Sequence, residues 1–459
     1  MHGPTSLIRP CPAIELEKIM KQQLLSPLAL AALTVLSMSA RAQSLSDLYD
    51  AARQFDAAYQ SAKALYDSSY FKAEQARAGL LPTVNLSANA SHSQSNNSTR
   101  SPQDSSYGTQ NATISASQPL YRPANQATFE QGKKQLDLAQ AQFQAAEQDL
   151  IIRTSQAYFD VLGAQDTLTF VLAQKTAVAE QLASAKRNFE VGTATITDTR
   201  EAQARFDLVV AQEIAAENDL RVKKLALDQL VGKNGNNPKP LAATELPNLQ
   251  PADVNAWVQH ARDTHPTIKQ AQANLDVAKL ETQKAEAGHK PTLDLTASYF
   301  MNRNLNGSDL NTTDSTLNRT SVGLALNLPL YAGYATQNRI RETLLLEDKA
   351  RADLEAAQRN ISQTTRAAYF GVLSGLGQVK ALQAAETSSQ SALDANKLGY
   401  QVGVRINIDV LNSQSQLYQT KRDLAKARYD VLVGGLKLRQ ANGSLKAEDL
   451  QSVNTLLAK

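Results

Sequence analysis

Little in this sequence belongs to an enzyme or to a compact aromatic core. The single cysteine, Cys11, precedes an apolar segment with the character of a cleaved leader. No disulfide framework and no thiolate metal site is therefore expected in the mature chain. The histidines beyond that segment, His92, His260, His265 and His289, form neither H-E-x-x-H nor any other close ligand cluster. No Gly-x-Ser-x-Gly elbow and no P-loop occur. Gly375-Leu376-Gly377 lacks the third glycine of a dinucleotide loop, lies in helical sequence, and reads as a close-packing point between helices. Neither catalysis nor a cofactor nor a metal is expected. Aromatics are only 5% of the 459 residues and the net charge is +3, which leaves no nucleic-acid footprint.

The apolar segment has a definite grammar. Met20-Lys21 leads into Leu24 to Met38, followed by Ala40-Arg41-Ala42. A basic start, an apolar middle and an A-x-A end predict a secretory signal peptide over 20–42, cleaved before Gln43, with 1–19 an over-extended start. The run is too short for a comfortable membrane span. Cleavage would remove Arg9, Lys18, Lys21 and Arg41 against Glu15 and Glu17, leaving a nearly neutral chain. Cys11 does not follow the run, so it does not read as a lipid attachment point.

What is present in quantity is helix-forming: long stretches rich in Ala, Gln and Leu. Two similar stretches interrupt them. Val191-Gly192-Thr193-Ala194-Thr195-Ile196-Thr197-Asp198 recurs 211 positions later as Val402-Gly403-Val404-Arg405-Ile406-Asn407-Ile408-Asp409. A glycine followed by β-branched residues breaks a helix, so each copy reads as the tip of a helical hairpin. Two tips imply two repeats, 43–245 and 246–459. Helical sequence at 46–78 stops at Gly79 and Pro82, and the second repeat stops in the same way at Gly288 and Pro291. Leu136, Phe143, Leu150 and Ala157 are spaced by seven, as are Leu354, Ile361 and Ala368, which makes a heptad seam of large and small residues. About 65 residues at 1.5 Å each predict rods of about 100 Å. Lys233 to Pro251 reads as a connector.

After each stop the period becomes two. Val84, Leu86, Ala88 and Ala90 alternate with polar residues, as do Leu293, Leu295, Ala297 and Tyr299. Return strands carry Ala112, Ile114 and Ala116, and Val322, Leu324, Leu326 and Leu328, ending in Pro119-Leu120-Tyr121 and Pro329-Leu330-Tyr331. The β-hairpins are placed at about 82–121 and 291–331, with His92–Ser106 and Asn302–Thr320 between strands as exposed polar loops. Strands of about ten residues with one apolar face fit a transmembrane barrel. Four strands cannot close one, and open edges are forbidden in lipid, so other copies must complete it. A dimer would give eight strands and a trimer twelve. A soluble sheet packed on the helices, or a periplasmic coiled-coil scaffold, is the alternative. In the membrane reading, Leu86, Ile114, Leu295, Leu324 and Leu326 face lipid, while Asn85 and Asp294 face the lumen.

The paired Gly…Pro strand entries, the Pro-Leu-Tyr exits, Ala157-Tyr158-Phe159 with Ala368-Tyr369-Phe370, and the two Val-Gly…Asp tips resemble the TolC family of outer-membrane efflux and secretion ducts. The resemblance covers nearly all of the mature chain. It implies an α+β membrane protein: a homotrimer whose twelve-stranded barrel, four strands per chain, crosses the outer membrane and continues into an α-helical periplasmic tunnel. It also implies partners, a periplasmic adaptor and an inner-membrane transporter. The implied role is the exit channel of a tripartite efflux pump for small molecules, with type I protein secretion as the alternative. By this resemblance the adaptor meets the tips at Val191, Gly192, Val402 and Gly403, where the glycines would let another hairpin's backbone approach closely. Thr197 and Asp198 match residues that latch the periplasmic mouth, and Tyr400 and Arg405 match their partners on the neighbouring hairpin. In a trimer Asp409 would form a ring of three carboxylates. The family usually has a second acid three positions on, where this chain has Asn412.

Overall fold

The structure, a computed structural model, describes residues 43–96, 104–243, 246–307 and 313–458. The leader expected over 20–42 and the over-extended start lie outside the described residues. In chain order the elements are α1 (Leu45–Phe55), α2 (Ala57–Arg77), β1 (Thr83–Asn96), β2 (Asp104–Tyr121), α3 (Pro123–Glu190), α4 (Ile196–Val231), α5 (Val254–Thr264), α6 (Pro266–Glu286), β3 (Thr292–Leu305), β4 (Ser315–Asn327), α7 (Ala335–Gln401), α8 (Asn407–Ala441) and α9 (Asp449–Asn454). Helices α3 and α7 have 68 and 67 residues, about 100 Å each.

The continuous helix expected over 46–78 is two helices. Asp56 ends α1 and caps α2, its carboxylate accepting from Tyr59 N at 2.8 Å. The second repeat breaks at the matching place, where His265 Nδ1 accepts from Thr267 N at 3.1 Å and caps α6. Only the second break is flanked by a proline, Pro266, which punctuates a helix in sequence.

Burial holds the His265 imidazole down at about pKa 4, because the charged ring is poorly solvated there. The folded value lies below the ordinary one of about 6.5. The neutral ring therefore stabilises the fold above about pH 6.5, and that contribution is lost as pH falls towards 4. Protonation also turns the capping acceptor into a donor. His265→Asn keeps a capping side chain without the titration. Thermal unfolding in detergent at pH 5 and pH 7.5 should show a smaller acid-induced drop for the variant than for the parent.

Where the helical pairs meet, residues from both repeats share one core. Leu45, Leu48 and Tyr49 of α1, Leu150, Tyr158 and Phe159 of α3, Leu432 and Leu436 of α8, and Leu450 of α9 pack together. The two Ala-Tyr-Phe triplets play matching parts. Tyr158 donates its hydroxyl to Lys239 O at 2.9 Å, and Tyr369 donates to Ala252 O at 2.5 Å. Each ties a rod to the connecting segment of its repeat. Burial pushes the Tyr158 phenol above its usual range, which keeps it a donor. Gly375 is a close-packing point: a Cβ there would meet the Val431 side chain at 2.8 Å.

The four strands form one antiparallel sheet in the order β1-β2-β3-β4, so the repeats join through β2 and β3. They are 14, 18, 14 and 13 residues long, longer than the ten expected. The stretches 92–96, 104–106, 302–305 and 315–320, expected in loops, are strand. Their polar residues pair across the sheet: Asn302 Nδ2 donates to Asn111 Oδ1 at 2.5 Å, and Asn304 Nδ2 donates to Ser315 Oγ at 3.1 Å. Apolar alternation marks only strand with one face in an apolar medium. Where both faces are polar, the signal vanishes while the ladder continues. At the other end Pro119 lies within β2 beside a register shift, as a residue without an N–H requires. Pro329-Leu330-Tyr331 lies beyond β4.

Register puts the apolar residues on one face. Val84 pairs with Ala116, Ala116 with Ala297, and Ala297 with Val322. Leu86 pairs with Ile114 and Ile114 with Tyr299, while Leu295 pairs with Leu324. No described helix covers this face: Leu86 is 73%, Val322 71% and Leu326 71% exposed. The opposite face carries Asn85, Ser115, Ser298 and Ser321 in one row, the last two joined at 2.8 Å. Asp294 shares that polar face, but it is not an open lumen carboxylate. Arg122, at the strand-to-helix junction, donates to it twice, from Nε at 2.7 Å and from Nη2 at 2.5 Å.

Candidate functional site

The two helical tips share one backbone design. At the first, Val191 N reaches Arg187 O, Gly192 N reaches Phe189 O, and Thr193 N reaches Asn188 O at 2.8 Å. At the second, Val402 N reaches Leu398 O, Gly403 N reaches Tyr400 O, and Val404 N reaches Gly399 O at 2.9 Å. Gly192 and Gly403 have φ of 78° and 80°, the left-handed turn that closes a helix and that glycine adopts without strain. A Cβ on either would meet nothing within 4 Å.

Past the glycine the tips diverge. Thr195 and Asp198 make a capping box: Asp198 Oδ2 accepts from Thr195 N at 3.0 Å and from its hydroxyl at 2.7 Å, and Thr197 Oγ1 lies 2.8 Å from Thr195 Oγ1. The second tip has Ile406 at the cap and no side-chain cap bond. Asp409 is thereby released from capping. Its carboxylate is one-third exposed and lies 3.7 Å from Arg405 one turn away. The two repeat-related acids thus differ in their partners: Asp198 holds a helix start, and Asp409 faces Arg405.

Two further candidates tie the second hairpin to the first within one chain. The Tyr400 hydroxyl accepts from Asn188 Nδ2 at 3.2 Å, and Asn412 Oδ1 accepts from Arg205 Nη2 at 2.8 Å. Among the described residues of that chain, no hydrogen bond or ion pair joins Thr197 or Asp198 to Tyr400 or Arg405. Sequence reasoning missed Asn188, Arg205, Gln181 and Asn407. Asn407 is buried and bonded to Gln181, and it stands where the first tip has the exposed Ile196. A polar residue replacing an apolar one at a repeat position was the available clue.

Around the glycines the tips are apolar and bare. Val191, Ile196 and Phe189 are exposed on the first, and Leu398, Val402, Val404 and Ile406 on the second, Val404 at 79%. Exposed apolar patches of this kind mark interaction surfaces.

A chain with an uncovered apolar sheet face, two free sheet edges and two helical hairpins whose longer arms reach about 100 Å is one subunit of a membrane-spanning duct assembled from several copies. A family model described as outer membrane efflux protein matches residues 31–233 and 257–444, and the chain belongs to that family. It is 34% identical over 425 residues to the outer membrane protein TolC of Vibrio cholerae serotype O1, covering 92% of this chain and 96% of that one. It is 32% identical over 433 residues to TolC of Escherichia coli strain K12, covering 92% and 87%. It is also 31% identical over 435 residues to the alkaline protease secretion protein AprF of Pseudomonas aeruginosa, covering 92% and 89%. Among solved structures, the outer membrane protein VceC of Vibrio cholerae superposes with a TM-score of 0.75 at 20% identity, over 87% of this chain and 96% of that one. CusC superposes at 0.77 with 16% identity, over 88% and 92%. The chain is thus an outer-membrane channel subunit of the TolC-like fold, which is trimeric with a twelve-stranded barrel. The family is one of channels, not of enzymes.

Proposed function

We propose that this chain forms the exit duct of a tripartite efflux pump, passing small molecules from an inner-membrane transporter and a periplasmic adaptor to the cell exterior. The observation that carries this reading is the bare apolar sheet face at one end of the long hairpins, with bare apolar tips at the other. One end fits lipid and the other fits a protein partner. The similarity to AprF, named for protease secretion, favours protein export as a second reading. A deletion strain complemented with this chain, assayed for dye accumulation and for secreted protease, separates the two. Restored protease secretion with unchanged dye accumulation would overturn the first.

Adaptor docking is assigned to Val191, Gly192, Val402 and Gly403. Gly192→Trp and Gly403→Trp should abolish export, but the positive φ at both means they also strain the turn. Val191→Glu with Val402→Glu places charge on the same surface without that strain. Export should fall to the level of the deletion strain while trimers are recovered in normal yield. Normal export in the double glutamate variant would remove the tips from the docking surface.

The mouth is assigned to Asp409, with Asn412 in place of a second acid. Three Asp409 carboxylates around one axis attract cations. Arg405 and Tyr400 are assigned as the latch to Asp198 and Thr197 of the neighbouring subunit, where a guanidinium can offer a forked donor to the carboxylate. Arg405→Ser with Tyr400→Phe should raise single-channel conductance in planar bilayers, whereas Asp409→Ala should mainly lower cation selectivity. Parental conductance in the double variant would remove the latch.

A further inference from the structure

The apolar face of the sheet has a measurable height, and a cation marks its upper edge. Its lowest row is Tyr121, Leu293 and Leu326, which are register partners. Tyr331 and Tyr334, edge to face at 5.9 Å, lie exposed just beyond β4, as an interfacial aromatic belt requires. The rows above contain Leu295 with Leu324, Ala297 with Val322, Ile114 with Tyr299, and Ala112 with Met301, and their polar members are Gln118 beside Leu295, Thr320 beside Tyr299 and Asn318 beside Met301. The next row is Ala90, Gln110, Arg303 and Thr316. Ten residues of β3 separate Leu293 from Arg303. At about 3.3 Å per residue and a tilt of about 40°, that is a rise of about 25 Å, the height of an outer-membrane apolar band. Arg303 therefore stands at the level of the outer-leaflet headgroups, on the face that meets lipid.

Its surroundings fit an anion. Arg303 is exposed, and among the described residues no ion pair or hydrogen bond engages its guanidinium. The residues paired with it on either side, Gln110 and Thr316, bring an amide and a hydroxyl donor and are themselves exposed. No carboxylate lies in the row. A planar guanidinium with two flanking neutral donors matches phosphate oxygens, which accept forked hydrogen bonds. We propose that Arg303, with Gln110 and Thr316, is a binding site for the phosphate of an outer-leaflet lipid headgroup, one on each subunit of the trimer. The site anchors the barrel at its upper rim, as the tyrosines do at its lower rim.

The proposal rests on the apolar face meeting lipid, and the test separates the two. Delipidated trimer is titrated with bisphosphorylated lipid A and with dephosphorylated lipid A of the same acyl chains, and bound lipid is counted by native mass spectrometry. One surface cation predicts about fivefold preference for the phosphorylated form. Arg303→Gln should abolish the preference and Arg303→Lys should retain part of it. Arg319→Gln should leave it intact, since Arg319 lies opposite Phe300 on the other face of the sheet. A preference that survives Arg303→Gln, or that Arg319→Gln removes equally, overturns the site. Displacement of the lipid by equimolar inorganic phosphate overturns its assignment to a lipid. Binding of neither lipid form overturns the lipid-facing reading itself.

Discussion

Val322→Lys is expected to leave the helices folded and to prevent recovery of trimers from the outer membrane. Val322 pairs with Ala297, in the row that also holds Ala116 and Val84, close to the middle of the band bounded by Leu293 and Arg303. It is 71% exposed within the chain, so lysine meets no steric obstacle and the whole effect comes from the medium. Lysine at the midplane of a barrel costs about 2–4 kcal/mol, falling to about 0–1 kcal/mol near the interfaces, and a trimer bears it three times. Leu324→Lys and Leu295→Lys, one row nearer the periplasm, should cost less, and Leu326→Lys less again. Ser321→Lys, on the polar face, should be tolerated. Trimer yield and heat stability across this series give a profile with a minimum at Val322. A flat profile would mean a sheet in water.

The second large effect is expected from Gly443→Ala. Gly443 follows the end of α8 with φ of 77°, and its added Cβ would lie 2.6 Å from His265 Cα and 2.8 Å from His265 N. These are backbone atoms at the break between α5 and α6, and they cannot rotate away as a side chain can. The contact is also fixed from both sides: Thr264 Oγ1 donates to Asn442 O at 3.0 Å, and Gln148 Nε2 donates to Gly443 O at 3.2 Å. Left-handed strain alone costs about 1–2 kcal/mol. Displacing a packed backbone should raise the total beyond about 4 kcal/mol, the range of the most damaging single changes. Gly235→Ala is the control, since Gly235 has φ of 78° and open space around it. Thermal unfolding should show a large drop for Gly443→Ala and a small one for Gly235→Ala. Equal drops would mean that strain, not packing, governs both.

The parts of this fold legible in the sequence are those with a repeating signal. Heptads gave the rods, alternation gave the apolar half of each strand, and glycine followed by β-branched residues gave the turns. The polar halves of the strands were not legible, because Asn302 or Asn304 paired across a sheet reads the same as either residue in a loop. The break at Asp56 escaped for a similar reason: a capping carboxylate in helical sequence looks like a solvated charge until Tyr59 N is placed against it. At the tips, the turn was readable and the division of labour was not. Asp198 and Asp409 occupy equivalent positions, and only the threonine or isoleucine three residues earlier decides which acid is held by its own backbone. Arg303 carries no signal in the sequence, because its meaning depends on its height in the sheet, which needs the register.

Strands β1 and β4 each have one paired and one open side, and that asymmetry bears on inheritance as much as on architecture. A subunit altered at one open edge still offers a sound edge to a normal neighbour, so it can enter a ring that it then fails to close. With equal synthesis of altered and normal chains and random mixing, only about one ring in eight contains normal chains alone, because closure requires every copy. A single edge allele should therefore behave as dominant. An allele that destroys the strand altogether never enters a ring and should be recessive.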